Sequence, residues 1–330
     1  MQKRKSFREI AKDCNVSPAT VSRIANGVGS FKEETRSLVI SHLISSGYII
    51  ESENETESTV LKNIALIVTD LNNEIFCSII AHLRSYLLER DCLLSIYVEN
   101  QDQGYLTKQV LKSQVDGIIF LSRPFEALTF ESPVPAVQVL SESNQITYKG
   151  KRYTVNSDDY VGGQLAAQEF LRDGCKKPLI LNNRHTHSSL SPRIKGFIYE
   201  FEKAGIAKDN IMIYEGDRNK SSFNSANDAV SYFWTKGDDF DCIFACSDWR
   251  AYGALVALRN KNIPVPGQIK VMGYDGILIS RYSQLPLTTI QQNPDMLATA
   301  AADKILSLMK GEEPEHETYI PVQIQTGLTV

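Results

Sequence analysis

The sequence predicts a small all-α headpiece of helix-turn-helix type, followed by an α/β body built from two doubly wound parallel sheets. Three observations carry that reading. The chain has 330 residues, too many for one ordinary core and enough for two or three domains. Residues 1–50 show only helical periodicity, broken by one very short turn. From Asn63 onward, apolar runs of strand length alternate with amphipathic segments of helix length.

In the head, Phe7, Ile10, Ala11 and Cys14 recur at helical spacing and share one face. Asn15-Val16 leaves room only for a tight turn. Ser17 then offers its hydroxyl to the free N–H groups of a new helix, and Pro18 suits the first position, where no backbone donor is needed. Val21, Ile24 and Ala25 continue the apolar stripe, so the second helix packs on the first. A third helix is expected over 33–46, with Val39, Leu43 and Leu38 turned inward and Gly47 as its stop. Pro18, Ala19, Thr20, Ser22 and Arg23 then face outward from the start of the second helix.

A helix end presented in this way fits the major groove of DNA, where base edges are legible. Arg23 is long enough for a guanine edge or a phosphate, and Ser17, Thr20 and Ser22 can bond phosphate oxygens. A three-helix module that binds protein is the competing reading. Charge weighs on the first side. Residues 1–50 hold Lys3, Arg4, Lys5, Arg8, Lys12, Arg23, Lys32 and Arg36 against Glu9, Asp13, Glu33 and Glu34, a net of +4. The whole chain carries −4, so the remainder carries −8. A basic module on an acidic body suits a dedicated polyanion-binding head.

In the body, strands are expected at 64–69, 93–98, 117–121, 136–139, 179–181, 242–245 and 270–273. Helices are expected at 75–90, 106–113, 161–172, 193–203, 226–235 and 252–260. Short buried strands separated by helices imply parallel sheets covered on both faces, and this length of chain suggests two sheets rather than one. Such folds bind ligands beyond the carboxyl ends of their strands. Asp70, Ser122, Asp158, Ser247, Asp248 and Asp275 each follow an apolar run and are candidates for contacting a polyhydroxylated molecule. A helix N-cap is the competing role for each.

Other functional classes find little support. The six cysteines lack paired spacings and read as free thiols of a reducing compartment. Cys242-x-x-x-Cys246 lies in an apolar run and reads as buried strand thiols, and His185-Thr186-His187 as a surface loop, rather than metal sites. Gly162-Gly163 follows an Asp at a helix start, a weak phosphate cradle. Nucleophile-elbow, Walker and dinucleotide-binding motifs are absent, so neither an enzyme nor a bound cofactor is expected. The basic N-terminus leads into no apolar segment, and no run reaches a membrane span; a cytoplasmic location is expected.

Val16-Ser17-Pro18-Ala19-Thr20-Val21-Ser22-Arg23-Ile24-Ala25-Asn26 resembles the recognition-helix signature of the lactose-repressor (LacI/GalR) family, and Glu34-Thr35-Arg36 and Gly47-Tyr48 resemble the rest of its headpiece. The body is similar to the same family over its length, in 155–163, in Arg193-Ile194-Lys195-Gly196-Phe197, in 246–251, in Gly273-Tyr274-Asp275-Gly276 and in Leu287-Thr288-Thr289-Ile290. The resemblance implies two periplasmic-binding-protein-like subdomains joined by three crossings, about 63–157 with 291–320 and about 158–290 with 321–330. It places DNA contacts on Ser17, Pro18, Ala19, Thr20, Ser22, Arg23 and Asn26. It places effector contacts on Phe76, Ile79, Ser122, Asp158, Ser189, Arg193, Arg218, Ser247 and Asp275, with Arg193 and Asp275 as principal clamps.

The implied function is a transcriptional regulator, a repressor of carbohydrate genes that binds pseudo-palindromic operator DNA as a homodimer and answers to a sugar-like effector. A sugar-sensing module acting through protein partners, and a sugar-processing enzyme, are the alternatives. The chain departs from the family pattern at several points. Residues 51–62 form an acidic linker, with Glu51, Glu53, Glu55 and Glu57 where a leucine-bearing hinge helix is usual. Glu74 replaces a common proline, and Arg218 a common aromatic; Arg218 either meets an anionic group or lies in a solvated loop. The segment Gln325-Thr326-Gly327-Leu328 lacks the family's arginine.

Overall fold

Ser6 starts the head. Its hydroxyl accepts from the Glu9 N–H while the Glu9 carboxylate accepts from the Ser6 N–H, a reciprocal cap that opens α1 (Phe7–Asp13). Ser17 caps α2 (Pro18–Ala25) one way, its hydroxyl accepting from the Thr20 N–H, with Pro18 in the first turn. The third helix, α3, runs Glu33–Ser45. Ile10, Ala11, Cys14, Val21, Ile24, Val39 and Leu43 form one small core. Leu38, expected inside, is 45% exposed. The buried stripe of α3 runs Val39 to Leu43, one turn apart, and Leu38 lies roughly 100° round the helix from Val39.

The computed structural model describes residues 5–26, 28–48, 61–99, 105–122, 129–141, 145–182, 191–217 and 219–330. It divides into a unit of residues 1–60 and a unit of residues 61–330. The acidic stretch 51–60 lies outside the described residues, and Lys62 already belongs to the first strand of the body.

Two sheets of six strands and a small parallel pair, Thr129–Glu131 with Gln145–Thr147, make up the body. The first lobe opens with β1 (Lys62–Val68), α4 (Glu74–Leu88), β2 (Cys92–Val98), α5 (Tyr105–Val110) and β3 (Gly117–Leu121). It continues through β4 (Thr129–Glu131), β5 (Ala136–Val139), β6 (Gln145–Thr147) and β7 (Thr154–Ser157). The second lobe follows with α6 (Asp159–Arg172), β8 (Pro178–Asn182), α7 (Pro192–Lys203), β9 (Met212–Glu215), α8 (Ser222–Lys236), β10 (Cys242–Ala245), α9 (Asp248–Asn260), β11 (Lys270–Asp275), α10 (Leu278–Tyr282) and β12 (Thr288–Gln291). The chain ends with α11 (Pro294–Met309), β13 (Glu317–Ile320) and β14 (Gln323–Gln325).

The first sheet, ordered β13-β7-β5-β3-β1-β2, is parallel throughout. The second, β14-β12-β11-β10-β8-β9, is parallel except for its edge strand β14. Alternation along each strand feeds two cores per sheet, because both faces are covered. Ile64, Leu66 and Val68 pack under α4 and α11, whereas Ala65 and Ile67 join Ile118 and Phe120 on the opposite face. In the second lobe Phe244 and Tyr274 pack with Phe197 and Phe170, and Ile243 and Ala245 with the alanines of α8 and α9. The chain passes between lobes at 157–159, 291–294 and 320–323.

Helices α6 and α7 meet very closely. A Cβ on Gly163 would lie 1.9 Å from the Arg193 carbonyl oxygen, and one on Gly196 would lie 2.0 Å from that of Tyr160. Gly163 and Gly196 thus seat α7 against α6, while Gly162 makes room for the Tyr274 side chain of β11.

Several elements differ from expectation. Helix α9 begins at Asp248 rather than 252, because Ser247 caps it. Helix α8 begins at Ser222, capped by Ser221. Helices α10 and α11 and strands β4, β6, β7, β9, β12, β13 and β14 were not expected from the pattern of apolar runs.

Candidate functional site

The carboxyl ends of both sheets open onto one cleft of about 880 Å³, within the roughly 300–1,000 Å³ usual for small-molecule sites. The first lobe contributes Thr69 and Asp70 beyond β1, Phe76 from the first turn of α4, Ser122 beyond β3, Ser141 beyond β5 and Asn156 from β7. The second contributes Arg193 from α7, Ser247, Trp249 and Arg250 around the start of α9, and Asp275 at the end of β11. Ser157, Asp158 and Gln292 line it from the crossing segments.

One connected network organises the second wall. The Arg193 guanidinium donates through Nη1 to the Cys246 carbonyl at 2.6 Å, and through Nη2 to both Asp159 oxygens at 3.0 and 3.2 Å. It lies 3.3 Å from the Tyr274 ring centroid, and the Tyr274 hydroxyl donates to Asp159 at 2.6 Å. Burial alone would depress the guanidinium's pKa, but the facing Asp159 outweighs it and holds Arg193 above its ordinary value. Asp275 moves the other way. Burial pushes its carboxyl up to about 6, against the pull of Arg193 and of the Gln292 amide, which donates to Oδ1 at 2.8 Å. The Ser157 hydroxyl donates to the Gln292 side-chain oxygen at 2.6 Å, so a chain of bonds spans the crossings from β7 to Asp275.

Carboxylates, guanidinium groups and amides around this space can bond several hydroxyls of one ligand. Trp249 and Tyr319, both on the cleft wall and exposed, offer ring faces for its apolar side. This is chemistry suited to a polyol rather than to a bulky hydrocarbon.

In the head, Pro18, Ala19, Arg23 and Asn26 are exposed, as is Ser17, and Thr20 and Ser22 are half-buried. The Ser17 and Thr20 hydroxyls share a bond of 2.8 Å. Asn26 donates its amide to the Ser22 carbonyl at 2.8 Å. The Arg23 guanidinium lies 5.5 Å from the Phe31 ring centroid, laid over the loop that leads to α3.

Among the described residues, Cys175, Asp241 and Cys242 form a group whose ligand atoms lie within 4.8 Å of one another. Both Asp241 oxygens already accept backbone N–H groups, from Lys176 at 2.7 Å and Lys177 at 2.9 Å. Asp241 therefore ties down the start of β8, and the two thiols fill core space beside it. Cys242 and Cys246 are both buried.

A family model for a periplasmic binding protein-like domain matches residues 167–330. The GalR transcriptional regulator of Escherichia coli is 23% identical over 92% of this chain and 89% of its own. The ribose operon repressor of Haemophilus influenzae is 26% identical over 96% of this chain and 95% of its own. Over nearly its whole length the chain is similar to transcriptional regulators of the lactose-repressor (LacI/GalR) family. The fold agrees end to end: the lac repressor dimer solved with operator and the anti-inducer ONPF superposes with a TM-score of 0.72, at 19% identity, over 99% of each chain. The relatives named here are transcriptional regulators and not enzymes.

Of the effector positions that resemblance to the LacI/GalR family implies, Phe76, Ser122, Asp158, Arg193, Ser247 and Asp275 line the cleft. Ile79 does not. It is fully buried one turn beyond Phe76, in the core between α4 and the first sheet, because the apolar face of α4 turns away from the cleft after its first turn. Ser189 and Arg218 lie outside the described residues. Asp158 and Ser247 also serve as N-caps, of α6 and α9, so the two roles weighed for them are compatible. Asp248 is wholly buried behind the cleft, where it accepts the Gly276 and Ile277 N–H groups, each at 2.9 Å, and the Thr289 hydroxyl at 2.5 Å. Asp159, Trp249, Arg250 and Gln292 escaped the reading of the sequence. Asp159 beside Asp158 and Arg250 beside Ser247 both lie in segments that resemble the family, which was the available signal.

Proposed function

We propose that this chain is a sequence-specific DNA-binding repressor of carbohydrate-utilisation genes. On this reading, a sugar or sugar derivative held in the cleft between the two lobes sets its hold on operator DNA. The observation that carries the reading is the cleft itself, in which the carboxyl ends of both sheets converge around a preset Arg193. A ligand touching both walls stabilises one relative placement of the lobes over another. A hundredfold change in operator affinity asks only about 2.7 kcal/mol of such differential binding.

The head supports the DNA half. Helix α2 presents Ser17, Pro18 and Ala19 outward at its start and Arg23 in its last turn, as a reader of base edges and phosphates requires. One head buries too little surface for specificity, so the operator is two half-sites read by a homodimer. The relative named for a ribose operon supports a carbohydrate as the effector class.

The test is selection of bound genomic fragments by the full chain, followed by titration of the recovered operator with sugars. Arg23→Ala is expected to weaken operator binding at least about tenfold, the equivalent of about 1–3 kcal/mol for a base-reading arginine. A chain that retained no duplex fragment even at low salt would end the proposal.

A further inference from the structure

Among the described residues, three arginines line the cleft, and their situations differ. Arg152 is ion-paired with Glu317. Arg193 is held on Asp159 through both carboxylate oxygens. Arg250 is only 5% exposed and has no carboxylate within ion-pair distance among the described residues. Its guanidinium donates to one acceptor, the Ser247 hydroxyl, from Nη1 at 2.9 Å. A guanidinium carries five N–H donors, so most of this buried fork has no partner among the described residues, and Arg250 lines the cavity.

Its place in the helix adds a second cost. Arg250 is the third residue of α9, a helix of 13 residues capped by Ser247. The free N–H groups there already make a positive end, and a cation in that turn is disfavoured. The one acidic residue of the turn, Asp248, spends its oxygens behind the cleft on Gly276, Ile277 and Thr289. Nearby Asp275 is engaged by Gln292. Burial accordingly lowers the Arg250 pKa from its ordinary value. A cation that is desolvated, set in the first turn of a helix and left without a carboxylate is a poor structural element and a good anion receptor, since the helix dipole and a planar fork both favour a negative group.

We propose that the effector carries an anionic group, a carboxylate or a phosphate, seated on Arg250 and the start of α9. The inference rests on the reading of the cleft as the effector site. It makes the ligand a sugar acid or a sugar phosphate, with Arg250 as the residue that selects the charge and Arg193 and Asp275 left to bond its hydroxyls.

The experiment uses the full chain, with D-glucuronate, inorganic phosphate and neutral D-glucose as probes, followed by thermal unfolding and calorimetry. Saturable binding of glucuronate or of phosphate is expected, and which of the two binds distinguishes carboxylate from phosphate. Arg250→Met is expected to weaken that binding at least about 30-fold, and Arg250→Lys to restore part of it. Arg250→Gln keeps the measurement open if the methionine variant does not fold. Anions that leave the wild type unchanged, or that bind Arg250→Met as tightly as the wild type, overturn the proposal; the latter result would place them on the basic head. Glucose binding that is indifferent to Arg250, without any response to the anions, overturns it as well while leaving the cleft reading intact.

Discussion

The two walls of the cleft are built on the same plan, strand ends of a parallel sheet, yet they hold their polar groups differently. The first lobe presents short side chains, Thr69, Ser122, Ser141 and Asn156, and the ion pair there, Arg152 with Glu317, is substantially exposed at 38% and 43%. The second lobe presents long charged groups, and its pair, Arg193 with Asp159, is mostly buried at 15% and 19%. The Arg193 pair is further locked by Tyr274 and the Cys246 carbonyl. The difference teaches where orientation and where fit are decided. A desolvated network has one arrangement and cannot lose a member without stranding another. Short hydroxyls on strand ends can change without disturbing the sheet behind them.

The sharpest way to break that contrast is to delete one guanidinium from each wall. Arg193→Ala leaves Asp159 desolvated and uncovers the Tyr274 ring, and is expected to cost roughly 3–5 kcal/mol of unfolding free energy. Arg152→Ala removes a largely solvated pair and is expected to cost less than about 1 kcal/mol. Urea unfolding of both variants measures the difference. Equal losses would mean that the second wall is no more cooperative than the first.

Titration sharpens the comparison next. Asp275 belongs to the second wall, and burial raises its carboxyl from an ordinary 3.8 to about 6. A raised acid contributes stability that is complete below the unfolded value and is lost as pH rises through the folded value. Asp275→Asn does not titrate, so the variant should gain on the wild type between about pH 4 and pH 7. The full shift corresponds to no more than about 3 kcal/mol. Unfolding midpoints of the two proteins at both ends of that window give the answer. A constant difference would show that Arg193 holds Asp275 as an ordinary carboxylate.

What the sequence made legible follows the same division. Strand ends were readable because a doubly covered parallel strand is a continuous apolar run, and the polar residue that ends it stands at the ligand edge. Ser122, Ser247 and Asp275 were found in this way. Residues whose burial depends on a partner far along the chain were not. Thr288 and Thr289 in β12 are polar by composition, yet they are 1% and 0% exposed, because Thr288 accepts from the Gly327 N–H and Thr289 donates to Asp248. Arg250, in a helix otherwise rich in alanine, reads as a solvated charge until the fold encloses it. Ile79 shows the converse, since family position points to the cleft while the helical face of α4 carries the side chain into the core. Helix α11 bore its signals, with Asn293 as cap, Pro294 in the first turn and Leu297, Ala301 and Ile305 at helical spacing. Its small residues gave the apolar stripe little weight.

The smallest expected effect concerns the backbone of the first wall. Ser122 sits just beyond β3 at φ +68°, a left-handed conformation that costs an L-residue roughly 1–2 kcal/mol. Its N–H still donates to the Val139 carbonyl at 2.8 Å, so the turn is held by the sheet rather than by the side chain. Ser122→Gly removes the steric cost but adds unfolded-state freedom, and the two leave a net gain of no more than about 1 kcal/mol. Ser122→Ala keeps the strain and loses only a hydroxyl, and should fall within about 0.5 kcal/mol of wild type. The pair of variants separates conformation from chemistry. If alanine were the more damaging by over about 1 kcal/mol, the Ser122 hydroxyl would be part of a fixed network, and the first wall would be organised as tightly as the second.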